Sequence, residues 1–259
     1  MHPLLNTAVK AARRAGSLIN RAALERGALL VRAKGANDFV TQVDHAAEAA
    51  IIDIIRTTYP DHAILGEESG ALEKVAKAEY RWIIDPLDGT TNFIHGFPQY
   101  CVSIGIQHRG KTAHGVVYDP GRNELFTASR GAGAFLDDRR VRVSKCAQLK
   151  DALVGTGFPF KELSRLTLYM RQLRTIMTST SGVRRAGAAA LDLAYVACGR
   201  MDAFWEIGLS SWDMAAGALM IQEAGGLVGD LDGEDGYLDK GEIAAATPKV
   251  FAQLLGALK

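Results

Sequence analysis

An α+β fold built as two layered subdomains is what this 259-residue sequence predicts. Three observations carry that reading. Amphipathic helices occupy residues 3–25 and 42–58, an antiparallel meander covers 100–136, and strands alternate with helices after about residue 150. An antiparallel-rich half followed by an alternating half gives layers with a cleft between them, and we place the boundary between residues 148 and 149.

The first helix rests on Leu4, Leu5, Ala8, Ala12, Ala15, Leu18 and Ile19, which recur at helical spacing. The second turns Val43, Ala47, Ala50, Ile51, Ile54 and Ile55 inward and is stopped by Pro60. Between them Lys34-Gly35-Ala36-Asn37-Asp38 reads as a mobile polar loop. Ala63-Ile64-Leu65 and Trp82-Ile83-Ile84 are short apolar runs of the kind that form buried strands. Strand-like segments at 100–108, 112–118 and 124–128 are broken by Arg109-Gly110-Lys111 and Asp119-Pro120-Gly121. Then come a strand at 153–155, helices at 161–178 and 187–198, and a strand at 203–207. A helix at 213–224, a strand at 227–228, a strand near Ile243 and a helix from Pro248 complete the chain.

Composition narrows the function. A hydrophobic content of 48% supports a substantial core, and a net charge of +1 argues against a general electrostatic nucleic-acid binder, leaving Arg139-Arg140 and Arg184-Arg185 as local basic points. No apolar run reaches membrane-spanning length, and Asn6, Lys10, Arg13 and Arg14 interrupt any secretory core, so a cytoplasmic location is expected. Cys101, Cys146 and Cys198 are odd in number and far apart, which predicts reduced thiols. The six histidines show no metal-binding spacing, so zinc is disfavoured, and a carboxylate-only site suits magnesium or manganese.

The chemistry concentrates in Asp85-Pro86-Leu87-Asp88-Gly89-Thr90-Thr91-Asn92-Phe93, where an apolar strand ends on two carboxylates three residues apart. Gly89 and the threonines then offer backbone N–H groups and a helix cap. A cation on the aspartates and an anion, most simply phosphate, on the helix start would explain both halves of the run. Gly66-Glu67-Glu68-Ser69 adds acidic residues after a second strand, and Trp212-Asp213 opens an Ala/Gly-rich helix. Each has a plainer reading. Asp-Pro and Asp-Gly form turns, Glu67 and Asp213 can cap helices, Asp44 suits the first turn of the second helix, and Glu206 or Lys34 can simply be solvated.

Taken together and in order, with Met214-Ala215-Ala216-Gly217 and Glu223-Ala224-Gly225-Gly226 following, these motifs resemble the inositol monophosphatase family over essentially the whole chain, and within it the bacterial SuhB-type branch. Thr91-Asn92-Phe93 fits that branch, whereas a related nucleotide 3′-phosphatase branch usually carries lysine after the Asp-Gly-Thr. The resemblance implies a layered α/β/α/β/α sandwich of the sugar phosphatase type. It also implies hydrolysis of myo-inositol monophosphate with two or three Mg2+ ions, lithium inhibition, and a homodimer. By residue match Glu67, Asp85, the Leu87 carbonyl, Asp88 and Asp213 would hold the metals. Thr90 would position the attacking water, with Asp44 behind it and Glu67 nearby. Asp88 and the N–H groups of Gly89 and Thr90 would bind phosphate, and Asp213, Arg184, Gly187, Ala188, Ala189 and Glu206 the sugar alcohol. Many relatives carry a hydroxyl residue where Ala188 stands, which bears on substrate range, and Lys34 would lie in a loop approaching the metals. The implied reaction is in-line attack of a metal-activated water with no covalent phosphoenzyme. Two rivals remain: a phosphatase of another sugar or nucleotide phosphate, and a regulatory protein whose partners are transcription antitermination factors or RNA polymerase.

Overall fold

The computed structural model describes residues 2–25, 31–35, 38–72, 78–160 and 163–259. Helices α1 (Pro3–Leu24) and α2 (Gln42–Thr58) form where the apolar spacing placed them, α1 with Pro3 at its first turn. They pack over one face of an eight-stranded sheet that runs β10-β9-β8-β7-β6-β5-β3-β4. Its strands are β3 (Ala63–Gly66), β4 (Gly70–Leu72), β5 (Tyr80–Asp88), β6 (Cys101–His108), β7 (Lys111–Asp119), β8 (Glu124–Ser129), β9 (Gly133–Leu136) and β10 (Arg139–Val141). Alternation along β6 separates the faces. Val102, Ile104 and Ile106 join the α1/α2 core, while Cys101 lies in the core on the other side.

That other face meets α5 (Ala189–Ala197) and α6 (Ser211–Glu223), which a second sheet covers from behind. Because α6 is enclosed on both sides, it is apolar nearly all round and rich in small residues. A Cβ on Gly105 of β6 would stand 2.9 Å from the Ala215 side chain, and one on Gly217 only 2.5 Å from that of Leu193. The second sheet, in order β12-β11-β13-β15-β14, comprises β11 (Leu153–Thr156), β12 (Gly182–Arg184), β13 (Ala203–Ile207), β14 (Leu227–Gly229) and β15 (Glu242–Ala246). Phe204 and Ala245 point to the middle helices, whereas Trp205 and Ala244 point to an outer layer of α4 (Leu166–Ser179) and α8 (Pro248–Leu258). The result is the expected α/β/α/β/α sandwich, an α+β fold.

Several elements differ from the sequence reading. The polar loop around Lys34 is largely a hairpin, β1 (Val31–Gly35) against β2 (Asp38–Thr41); Ala36, Asn37 and the Lys34 side chain lie outside what is described. Strands β4, β9, β10 and β12 and the short helix α7 (Tyr237–Lys240) were not anticipated. The helix expected at 161–178 starts later, as a 3-10 turn at Leu163–Arg165 followed by α4, and Lys161 and Glu162 lie outside the described residues. Among the described residues, no helix is long and apolar enough to cross a membrane.

Candidate active site

Strand β5 does not end before the acidic run but continues through it to Asp88. Opposite β6, Asp85 pairs with Ser103 and Asp88 with Cys101, so the ladder carries one extra residue between them. Pro86 cannot donate to a ladder, and the bulge is where the sheet accommodates it. Asp85 is buried, and its Oδ1 accepts the Leu87 N–H at 3.0 Å. The Leu87 side chain is buried with the α1/α2 core, and its carbonyl accepts the Thr90 hydroxyl at 3.0 Å.

Gly89 then turns the chain at φ +91° into the six-residue helix α3 (Thr90–His95). Only glycine fits here: the backbone is left-handed, and a Cβ would stand 2.7 Å from the Gln99 carbonyl. The Thr90 hydroxyl also reaches Asp44 Oδ1 at 2.9 Å. Asp44 is fully buried, and its Oδ2 accepts the Thr41 N–H at 2.8 Å and the Thr41 hydroxyl at 2.6 Å. With one hydrogen, Thr90 must choose between the Asp44 carboxylate and the Leu87 carbonyl, and the charged acceptor is the stronger.

Beside β5, the Glu67 N–H donates to the Ile84 carbonyl at 3.0 Å, which sets the acidic turn against the strand end. Buried Glu48 secures the same turn by accepting the Glu68 N–H at 3.0 Å. Asp88 faces the other way. Its Oδ2 accepts the Ala190 N–H, in the first turn of α5, at 2.7 Å, and the Cys101 thiol lies 3.7 Å away. Asp213, in the first turn of α6, accepts the Ser210 N–H at 2.7 Å.

A cleft of about 150 Å³ opens beside Asp88 and Asp213, lined also by Gly187, Ala189, Glu206, Arg185 and the loop Phe158-Pro159-Phe160. Burial is the first cause that raises the Asp85 carboxyl well above the usual range; the charges of Glu67, Asp88 and Asp213 add to it, as does a hydrogen bond with Glu67. Burial, then Asp213, pushes Asp88 up to about 7. Glu206 is raised by burial and then by Asp192 and Asp213, with Arg185 opposing. So many carboxylates facing one another in low dielectric are costly unless protons or cations join them.

The donor set suits a hard divalent cation, since carboxylate oxygens and a carbonyl with a spare lone pair are what such ions take. Among the described residues, no three acidic, histidine or cysteine side chains converge closely enough to hold one ion by themselves. The electrostatic coupling of Glu67, Asp85, Asp88 and Asp213 still places them in one neighbourhood. A hard cation here would complete its shell with the Leu87 carbonyl and waters, so it does not need three side chains of its own.

The structure thus brings together Asp44, Glu67, Asp85, Leu87, Asp88, Gly89, Thr90, Gly187, Ala189, Glu206 and Asp213. Two expected substrate contacts, Arg184 and Ala188, are not among the residues that line this cleft. Arg184 is exposed, with its guanidinium donating to the carbonyl of Val183 at 3.0 Å, and its neighbour Arg185 faces the cleft instead. Ala188 is fully buried beneath Gly89, 3.3 Å from where a Cβ there would stand. Residues the sequence reading missed include Asn92, whose amide ties α3 to the carbonyls of Gln99 at 2.8 Å and Ala186 at 2.9 Å. Gln99, donating to buried Asp192 at 3.2 Å, is another. The loop 157–160 carried a legible signal: Gly-Phe-Pro-Phe directly after a buried strand.

Residues 1–258 match the inositol monophosphatase family. The chain is 54% identical over 262 residues to the Pseudomonas aeruginosa protein called Nus factor SuhB, covering 100% of this chain and 97% of that one. Among solved structures, it is similar to extragenic suppressor protein suhB from Bartonella henselae, with a TM-score of 0.96, 45% identity, and 100% and 99% of the two chains covered. It is also similar to inositol monophosphatase from Anabaena, with a TM-score of 0.88, 40% identity, and 98% and 94% covered. A whole-length family match, a sandwich that superimposes on its solved members, and a cleft walled by half-buried carboxylates agree: the chain belongs to the inositol monophosphatase family.

Proposed function

We propose that the chain hydrolyses phosphate monoesters of cyclic polyols, myo-inositol monophosphate foremost. The observation that carries this is the Thr90 hydroxyl, hydrogen-bonded to fully buried Asp44 at the end of the Asp85–Asp88 strand. Asp44 is fixed by two donors from Thr41, so it holds the Thr90 proton and leaves the Thr90 oxygen lone pairs directed outward. That oxygen accepts a hydrogen bond from the attacking water and aligns it, with Glu67 as the nearby carboxylate. The N–H groups of Gly89 and Thr90 receive the phosphate, and Glu206 accepts from hydroxyls of the polyol. Glu67, Asp85, the Leu87 carbonyl, Asp88 and Asp213 would hold magnesium, two or three ions. Bound there, the metal supplies Lewis-acid charge neutralisation and a lowered water pKa.

Phosphate release from a panel of monoesters tests the reading. Myo-inositol 1-phosphate should lead fructose-1,6-bisphosphate, histidinol phosphate and a nucleotide monophosphate, with loss of activity in EDTA and inhibition by lithium. Release that persists in excess EDTA rejects it. We further propose a cytoplasmic homodimer, which light scattering would report as about twice the 27.8 kDa chain mass.

A second reading is favoured by the name of the 54% identical relative, Nus factor. On it, the chain also associates with transcription antitermination factors or RNA polymerase. Pull-down with the purified proteins, repeated with Asp88→Asn, separates the roles: retention by the inactive variant makes association independent of hydrolysis, and no retention of wild type removes this reading.

A further inference from the structure

Among the described residues, α1 packs on β6 and β7 of the large sheet and leaves the same face of β8 and β9 open to a cavity of about 480 Å³. This face is the one opposite α5 and α6. Strand alternation builds the floor. Leu125 of β8 is buried with the α1/α2 core, so Thr127 and Ser129 face the same way. Thr127 pairs with Phe135 of β9, and Ser129 with His114 of β7. His114 and Phe135 thus flank β8 from strands about 10 Å apart, two strand spacings, which leaves room between their rings for a flat molecule. The His2 ring stacks on His114 at 4.4 Å and extends that flat wall toward α1.

Two polar groups here lack partners. His114 is 8% exposed and Thr127 5%, and both line the cavity. Ser129 Oγ takes up His114 Nδ1 at 2.7 Å and fixes the ring, yet among the described residues neither His114 Nε2 nor the Thr127 hydroxyl has a hydrogen-bond partner. Buried polar groups are nearly always paired, so a partner is called for. Burial, and then His2, pushes His114 down to about 4, which leaves the imidazole neutral near pH 7 with Nε2 as a single donor or acceptor. The two charged side chains that line the cavity, Arg130 and Asp138, have opposite signs. Arg130 also spends its Nε and Nη2 on the Thr112 carbonyl, at 3.0 and 2.6 Å. A phosphate would find no unopposed positive charge. Flat walls over neutral polar groups suit a flat, uncharged ring that carries a donor and an acceptor of its own.

We infer that this cavity is a second small-molecule site, separate from the cleft beside Asp88, which takes a neutral heteroaromatic ring between Phe135 and the His2–His114 stack and holds it through His114 Nε2 and the Thr127 hydroxyl. It does not rest on the phosphomonoesterase reading. Benzimidazole is the probe, because it joins a ring N–H to a ring acceptor; indene has its shape with neither, and benzoate adds a negative charge. Chemical-shift titration of the methyl-labelled full chain at neutral pH should place benzimidazole beside Leu5, Thr127 and Ala132, bound about fivefold or more tighter than indene or benzoate. Thr127→Val keeps the shape and removes the hydroxyl, and His114→Phe keeps a flat ring and removes Nε2. Each should weaken benzimidazole about threefold to tenfold and leave indene unchanged, as expected for one lost hydrogen bond. Unchanged melting temperatures would show that the fold is intact, and Thr127→Val, the smaller change, carries the test if His114→Phe melts lower. Equal affinity for benzimidazole and indene, shifts confined to the cleft beside Asp88, or unaltered binding by Thr127→Val overturns the inference. Phosphate release is measured on the same variants and should stay at the wild-type rate, since neither residue lines that cleft.

Discussion

Asp44 and Asp213 occupy the same place in two helices and meet different fates. Each is the third residue of its helix, α2 or α6, and each accepts the N–H of the capping residue, Thr41 at 2.8 Å and Ser210 at 2.7 Å. Asp44 is fully buried and spends its other oxygen on Thr90, whereas Asp213 reaches the cleft and raises the carboxyls of Asp85 and Asp88. A helix cap and a site residue are therefore not rival readings. The cap fixes one oxygen, and the layer into which the helix is inserted decides what the carboxylate does next.

Asp88 is the sharpest point of contrast with both, because no helix of its own needs it. On the proposed function, Asp88→Asn should cost turnover on the order of 10³-fold or more, since the carboxylate directly precedes the Gly89 turn and shares the cleft with Asp213. The fold should survive, as an amide oxygen can still accept the Ala190 N–H. Phosphate release within tenfold of wild type would remove Asp88 from the chemistry.

The pair itself is tested by making both asparagine. Three donors converge on Asp44, and Asp44→Asn replaces their charged acceptor by a neutral amide with one accepting oxygen, at a cost of about 1–3 kcal/mol. It should also lose rate, roughly 10²-fold, through misorientation of Thr90. Asp213→Asn keeps its cap contact and should change stability by less than about 1 kcal/mol while lowering turnover comparably. Denaturant midpoints measured beside kcat check this. Equal stability losses would mean that burial does not distinguish the two caps.

What the sequence made legible was local. The amphipathic stripes of α1 and α2 and the Asp85–Asp88 run each lie within a few residues, and periodicity or turn chemistry reads them directly. What it hid depended on register and on distant packing. Arg184 and Arg185 are adjacent on a strand end, so they point to opposite sides, and choosing between them requires knowing which face of β12 meets the cleft. Asp192 looks like an ordinary helical aspartate until Gln99 and the two sheets close over it. Strands β9 and β10 are three or four residues long and are defined by their partners rather than by composition.

Glu206 extends the contrast to a carboxylate with no cap at all, on β13. Glu206→Gln removes acceptor capacity toward polyol hydroxyls, and KM for myo-inositol 1-phosphate should rise roughly tenfold with kcat little changed. Glycerol 2-phosphate should suffer less. Equal losses in kcat on both substrates would move Glu206 from recognition into the catalytic machinery.

The smallest effect concerns protons. Burial raises Asp85, Asp88, Asp192 and Glu206 in the folded chain, Asp88 to about 7 from 3.8. Between those values the folded state binds more protons than the unfolded one, so stability falls as pH rises through that window. Below it the gain is complete, and Glu124, held low by its hydrogen bond to Arg200, begins to lose its own contribution. In EDTA, the melting temperature should therefore be higher near pH 5.5 than near pH 8, by roughly 2–4 °C per kcal/mol of linkage. Asp88→Asn should flatten the slope, and magnesium should flatten it too, because a cation then does what the protons did. Scanning calorimetry at the two pH values decides it. A higher melting temperature near pH 8 in EDTA would mean that these carboxylates are not mutually strained, and that the contrast between the satisfied Asp44 and the crowded cleft is wrong.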